Sequence, residues 1–244
     1  MSDDPFRNRP EDFINRGLKA TVSALPVVGG ALGEFVSFVI GDPAQERRDA
    51  FMRDLYERIQ KLATVNERAT DEQLHENAQF QATFIQAAQT AARTVQNEKK
   101  AILRNAVLNA AVGDIDENVR QIFMQFIERF TPMHVSLLAA LHSPADFLDE
   151  KKMTEVVSVD GALGELARAA VPSLSNSWDL FPSLLADLEA AKLLDANRLE
   201  ALRLYNSYPA KIKIGSTRFE ACTTKLGKAF LLFISDPETG SLST

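Results

Sequence analysis

From Glu76 to Ala111 the chain reads ENAQFQATFIQAAQTAARTVQNEKKAILRNAVLNAA, with no glycine and no proline. Apolar side chains recur at Phe80, Phe84, Ala88, Ala91, Val95, Ile102, Ala106 and Ala110, in steps of three, four and seven. Such spacing puts them on one side of an α-helix. Ile85, Ala92, Leu103 and Val107 widen that side into a broad buried face. Unbroken, the helix would run about 50 Å, so the neighbouring chain must pack along it as further rods. The pattern has one anomaly. Seven residues on from Ala91 and Ala92 stand Glu98 and Lys99. Either the helix breaks at Asn97 and these charges face water, or Glu98 is partly buried against a Lys or Arg from elsewhere, which would fix the packing register. Glu98 is the candidate functional charge of this half.

The flanking segments have the same character. Asp42-Pro43 supplies an N-cap and a first-turn proline for a helix to about Arg68, with Phe51, Leu55, Ile59 and Leu62 inward. Its acid–base pairs Asp49/Arg53, Asp54/Arg58 and Glu57/Lys61 read as a solvated outer face. Gly113 ends the long stretch. Asp116 caps a further helix to Phe130, with Val119, Ile122, Phe123, Phe126, Ile127 and Phe130 on one face. Thr131-Pro132 starts another, ended by Ser143-Pro144.

Ahead of these lies ATVSALPVVGGALGEFVSFVI, residues Ala20 to Ile40, whose only charge is Glu34. Its length would suit a membrane span. Pro26 and the Gly29-Gly30 pair break it, which predicts two short helices around a turn. The segment is either a buried core hairpin or an element that enters or lies on a membrane, with Pro26, Gly29, Gly30, Glu34, Phe35 and Val36 as its candidate contact residues.

Charge and cysteine content narrow the functions. A net charge of −6 over 244 residues opposes non-specific nucleic-acid binding by the whole chain. One cysteine, Cys222, precludes an internal disulfide and fits a reducing compartment. The N-terminus lacks a basic-then-apolar leader pattern. A cytoplasmic protein, or one peripheral to the inner membrane, is therefore expected.

Past Asp146 the chain turns polar and acidic, which predicts a domain boundary near Phe130–Thr131. Gly161 to Val171 reads as a helix, Trp178 to Leu194 as another, and Thr223 or Thr224 as the cap of a last one. Lys211 to Ile214 and Thr217 to Ala221, joined at Gly215-Ser216, alternate as a two-stranded hairpin. In order and spacing, residues 131 to 236 resemble a winged helix-turn-helix module. The helices PMHVSLLAALHSP, GALGELARAAV and LFPSLLADLEAAKLL precede a wing, and TTKLGKAFLLFI closes it. A polar insertion, Ala145 to Asp160, departs from that pattern. The first half is similar to bacterial helical proteins with a PVVGG-type hairpin and a charged helix, a likeness that implies no activity.

The winged-helix resemblance implies a third helix that enters the major groove. Here Asn176 to Ala191 carries Asp179, Asp187 and Glu189 and no Lys or Arg, so it repels phosphate. From Lys192 to Lys228, eight basic residues face three acidic ones. Lys211, Lys213 and Arg218 are the candidate phosphate contacts of a wing-led mode.

No phosphate loop, dinucleotide fingerprint, HExxH or GxSxG is present. His134, His142 and Cys222 read as packed residues. The expectation is a mainly α protein: a helical bundle over residues 1–130, a small α+β winged-helix-like domain over 131–236, and a tail over 237–244. Its expected role is non-enzymatic, an interaction or effector protein with no cofactor and no metal. The partner is a protein, another copy of the chain, or a membrane surface reached through the 20–40 hairpin. The alternatives are a DNA-binding regulator acting through the wing and a structural scaffold.

Overall fold

The computed structural model describes residues 42–150, 155–156, 161–204, 212–213 and 220–237. The chain divides into two compact units, Met1–Glu46 and Arg47–Thr244. The described part is mainly helical. Helix α1 (Asp42–Ala63) is followed by a 3-10 turn at Glu67–Ala69 and then by α2 (Asp71–Glu76), α3 (Ala78–Arg93), α4 (Asn97–Val112), α5 (Glu117–Arg129), α6 (Pro132–His142) and α7 (Pro144–Glu150). Strand β1 (Glu155–Val156), α8 (Gly161–Ala170), α9 (Phe181–Ala190), α10 (Ala196–Leu204), β2 (Ile212–Lys213) and α11 (Lys225–Ile234) complete the order. The 20–40 hairpin lies outside the described residues.

Local chemistry accounts for several of the helix ends. Asp116 accepts from the Asn118 and Val119 amides, and Thr224 Oγ1 accepts from Gly227 N at 3.0 Å. Gly113 ends α4 in extended conformation, and a Cβ there would lie 2.6 Å from the Asn109 carbonyl oxygen. In α1, Phe51, Leu55, Ile59 and Leu62 are all buried. Asp54 on its outer face pairs with Arg104 of α4 at 2.8 Å, and Arg58 pairs with Asp236 at 3.3 Å.

The long stretch is two helices, not one. It breaks at Thr94–Gln96, where Thr94 Oγ1 accepts from Gln96 N at 3.2 Å. That hydroxyl turn competes with the helical ladder. The break resets the helical phase. Glu98 is exposed, and Lys99 takes the buried position. The alternative of a buried, paired Glu98 is thereby corrected. Val95 and Ile85, expected on the inner stripe, are 75% and 55% exposed. On α5 the inner face is rotated as well: Ile122 is exposed, while Met124 and Arg120 are buried.

The boundary expected at Phe130–Thr131 falls inside the second unit. One cluster of buried apolar residues runs from Phe51 to Ile234. Helix α11 closes it. Phe230 packs edge-on against Phe123 (5.4 Å between ring centroids) and Phe126 (5.7 Å), and Phe233 lies 5.5 Å from Phe123. Asn109 of α4 donates its Nδ2 to the carbonyls of Leu232, Phe233 and Ser235, and Asn105 donates to Ile234 O at 3.0 Å. Two side-chain amides one turn apart on α4 thus cap the end of a helix more than a hundred residues later.

The wing expected at 211–221 is not seen among the described residues. Instead β2 pairs antiparallel with β1, in the register Glu155↔Lys213 and Val156↔Ile212. The polar insertion supplies the partner strand. Between α9 and α11 a separate bridge forms: Leu194 pairs with Thr223, and Asp195 N donates to Cys222 O at 2.7 Å. Helix α10 lies between these segments. Lys192 ends α9 at φ 58°, with Lys192 N on Glu189 O and Leu193 N on Leu188 O. This is a Schellman ending with lysine where glycine is usual.

Candidate functional site

A group of polar side chains, with Lys99 and His134 buried, gathers where α4, α5, α6 and α9 meet. It begins with the end of α5, whose last carbonyls have no partner in their own helix. Lys99, 6% exposed, reaches in from the first turn of α4 and donates to the carbonyls of Glu128 (3.3 Å) and Phe130. Burial pushes its ammonium below the ordinary lysine range, and the Glu128 carboxylate opposes that.

The next helix starts at once. Thr131 is the N-cap of α6, Pro132 its first residue and His134 its third, where a capping box places Glu or Gln. Here the imidazole does that work. Thr131 N donates to His134 Nδ1 at 3.1 Å, and Thr131 Oγ1 lies 2.9 Å from the same nitrogen. Because Nδ1 accepts, the proton of the neutral ring sits on Nε2. That N–H points at Asp187 Oδ2 of α9, 3.3 Å away. The ring is 5% exposed and stacks on Phe130 at 5.0 Å. Burial lowers its proton affinity, Asp187 raises it, and Arg129 and Lys99 lower it further. Arg129 holds the other Asp187 oxygen at 2.5 Å, which depresses that carboxyl.

Hydroxyl, imidazole and carboxylate in this order resemble a nucleophile, base and orienting acid. The capping geometry assigns them another task. The Nδ1 lone pair is engaged by the Thr131 amide, so it is not free to take the hydroxyl proton. The cluster stitches three helix ends together.

A second feature lies at the start of α9. The 3-10 turn Trp178–Leu180 runs directly into Phe181. The Trp178 ring stacks on Phe181 at 4.7 Å, and the Arg168 guanidinium of α8 sits 4.1 Å from its centroid. Leu180 beside them is 47% exposed. Asp179 is exposed on the same turn.

A third polar contact stiffens the bundle. Arg120, 3% exposed, donates to both oxygens of Glu117 (2.6 and 2.7 Å) and to Thr83 of α3. Arg120 and then Gln121 hold the Glu117 carboxyl down to about 2.

Of the residues expected from sequence, Pro26, Gly29, Gly30, Glu34, Phe35 and Val36 lie outside the described set, as do Lys211 and Arg218. Lys213 sits on β2. His142 meets Thr223 Oγ1 at 2.7 Å, at the far end of α6 from His134. Cys222 is buried, and desolvation raises its thiol to about 11. Sequence marks Lys99 only as an interruption of the apolar stripe and Asp187 only as an acid on its helix, and gives no signal for Arg120. A lysine on the apolar phase of a helix is the one available signal for the first; the partners of the other two are fixed by contacts between distant helices.

Among the described residues no helix is long and apolar enough to cross a membrane. No group of three or more His, Cys, Asp or Glu there could hold a metal ion. Compared with known proteins, the chain matches no family model, no curated protein and no solved structure.

Proposed function

We propose that this is a non-enzymatic interaction protein, and that the start of α9 receives a protein partner. The observation that carries this reading is the surface built by Arg168, Trp178, Leu180 and Phe181. It combines a half-exposed leucine with an aromatic–guanidinium stack formed within the chain itself. Tryptophan and arginine dominate binding energy at protein interfaces, and a pre-stacked ring loses little freedom on docking. Phosphate is a poor fit for the same surface. The segment Asn176 to Ala191 carries Asp179, Asp187 and Glu189 and no basic side chain, and the one arginine of the surface, Arg168, is paired with Glu165 and laid against the Trp178 ring. That charge favours a protein contact over a nucleic-acid one.

A photo-crosslinking residue at position 180, in cells that make the protein natively, tests this. One discrete adduct is expected from position 180, absent when the same group replaces Val65, which is 79% exposed. Trp178→Ala should abolish the adduct while far-UV circular dichroism stays unchanged. Equal labelling from both positions, or none from position 180, overturns the proposal.

A further inference from the structure

We propose that the partner segment docking at the start of α9 is an extended, basic stretch of peptide. This inference rests on the partner surface and names what that surface selects. The Trp178 ring is covered on both faces. Phe181 stacks on it at 4.7 Å with 20° between the planes, and the Arg168 guanidinium lies 4.1 Å from its centroid. Two flat groups that close cannot share one face of a ring. The indole therefore leaves its edge for a partner, and the Nε1–H on that edge makes no hydrogen bond to any described residue. An indole N–H only donates, so the partner must bring an acceptor.

Asp179, the next residue, decides which acceptor. It is exposed and has no ion-pair partner among the described residues. Arg168 is paired with Glu165 at 3.2 Å, and Asp187 further along α9 is held by Arg129 and His134. Asp179 is thus the uncompensated charge of the turn. A carboxylate acceptor on the partner would meet it as a like charge, whereas a lysine or arginine is drawn to it. A main-chain carbonyl satisfies the indole without that repulsion. In a helix such carbonyls are already bonded to amides four residues on; an extended segment leaves them open. Leu180 follows at once and is 47% exposed. Three residues per turn of 3-10 helix set the Trp178, Asp179 and Leu180 side chains about 120° apart. A chain that meets all three crosses the turn, with a cationic side chain on Asp179 and an apolar one on Leu180.

The probe is a displayed library of random peptides, panned on the full-length protein and counter-screened on Trp178→Ala. Peptides kept by the wild type and lost on the variant should carry lysine or arginine close to an aliphatic or aromatic residue. One of them, made synthetically, should shift the indole N–H resonance, which is unique because the chain has one tryptophan. Asp179→Lys should weaken that peptide about tenfold or more, and Asp179→Asn should weaken it less. Asp179 is exposed, so both variants keep the fold. Neutral or acidic Trp178-dependent peptides overturn the inference, and so does binding indifferent to Asp179→Lys or a panning that yields no Trp178-dependent peptide. The crosslink from position 180 separates this from the surface itself. An adduct that persists beside any of those failures leaves the surface standing, and its absence removes both.

Discussion

Helix α11 and helix α9 are both fastened to the bundle by polar side chains, in opposite ways. At α11 the donors are neutral amides, Asn105 and Asn109, aimed at backbone carbonyls beside the packed rings of Phe123, Phe230 and Phe233. At α9 the fastening is ionic. Asp187 is shared by Arg129 and His134, and only the imidazole is fully buried. Amide–carbonyl contacts do not change with pH, and salt does not screen them strongly. An exposed carboxylate bridge is weak by comparison, with a typical worth of about 0–1 kcal/mol. The same bundle thus has a fixed edge and an adjustable one.

The contrast can be broken at its strong side first. Phe230→Ala should cost about 3–5 kcal/mol in urea denaturation, because Phe230 is fully buried and meets two rings of α5, Phe123 and Phe126, and the ring of Phe130 just past its end. Loss below about 1 kcal/mol would mean that α11 is not part of the common core. Asn109→Ala comes next, at about 1–3 kcal/mol, since three carbonyls lose one donor. A change in m-value with that loss would point to detachment of α11 as a unit.

The adjustable side is read by pH. His134 binds a proton less readily in the folded chain than in the unfolded one. Its contribution is therefore complete above the unfolded value near 6.5 and is lost as pH falls through that value toward the lower folded one. Denaturation midpoints should drop across that window in the wild type and drop less in His134→Gln. The smallest effect is expected at the end of α9. Lys192→Gly relieves the left-handed backbone at φ 58° and should stabilise by about 1 kcal/mol or less.

The fixed edge was only partly legible in the sequence. Helix existence follows from apolar spacing, and the caps at Asp116 and Thr131 follow from residue type, as does a cap at Thr223 or Thr224, of which the structure uses Thr224. All are local signals. The break at Thr94–Gln96 carries no Gly or Pro, and its cause is a threonine hydroxyl turned onto Gln96 N. That small choice of hydrogen bond moved Glu98 outward and Lys99 inward. The pairing of β1 with β2 was out of reach for a different reason. KIKIG alternates like an edge strand, but alternation does not name a partner: the nearby run Thr217 to Ala221 fits the pattern as well as the distant Glu155–Val156 with which it pairs. The acidic insertion suggested a domain border because polar sequence looks the same whether it separates two cores or covers one. Asp187 was noted for its charge, while its contacts with Arg129 and His134 depend on how α9 lies across α5 and α6.

Cys222 closes the seam between these edges. Its amide donates to Leu141 O, its carbonyl accepts from Asp195 N, and its sulfur is shut away as a protonated thiol. A maleimide or disulfide reagent can reach it only while that seam is parted. The chain has no second cysteine to blur the signal, so the speed of modification counts how often the rear of the protein breathes.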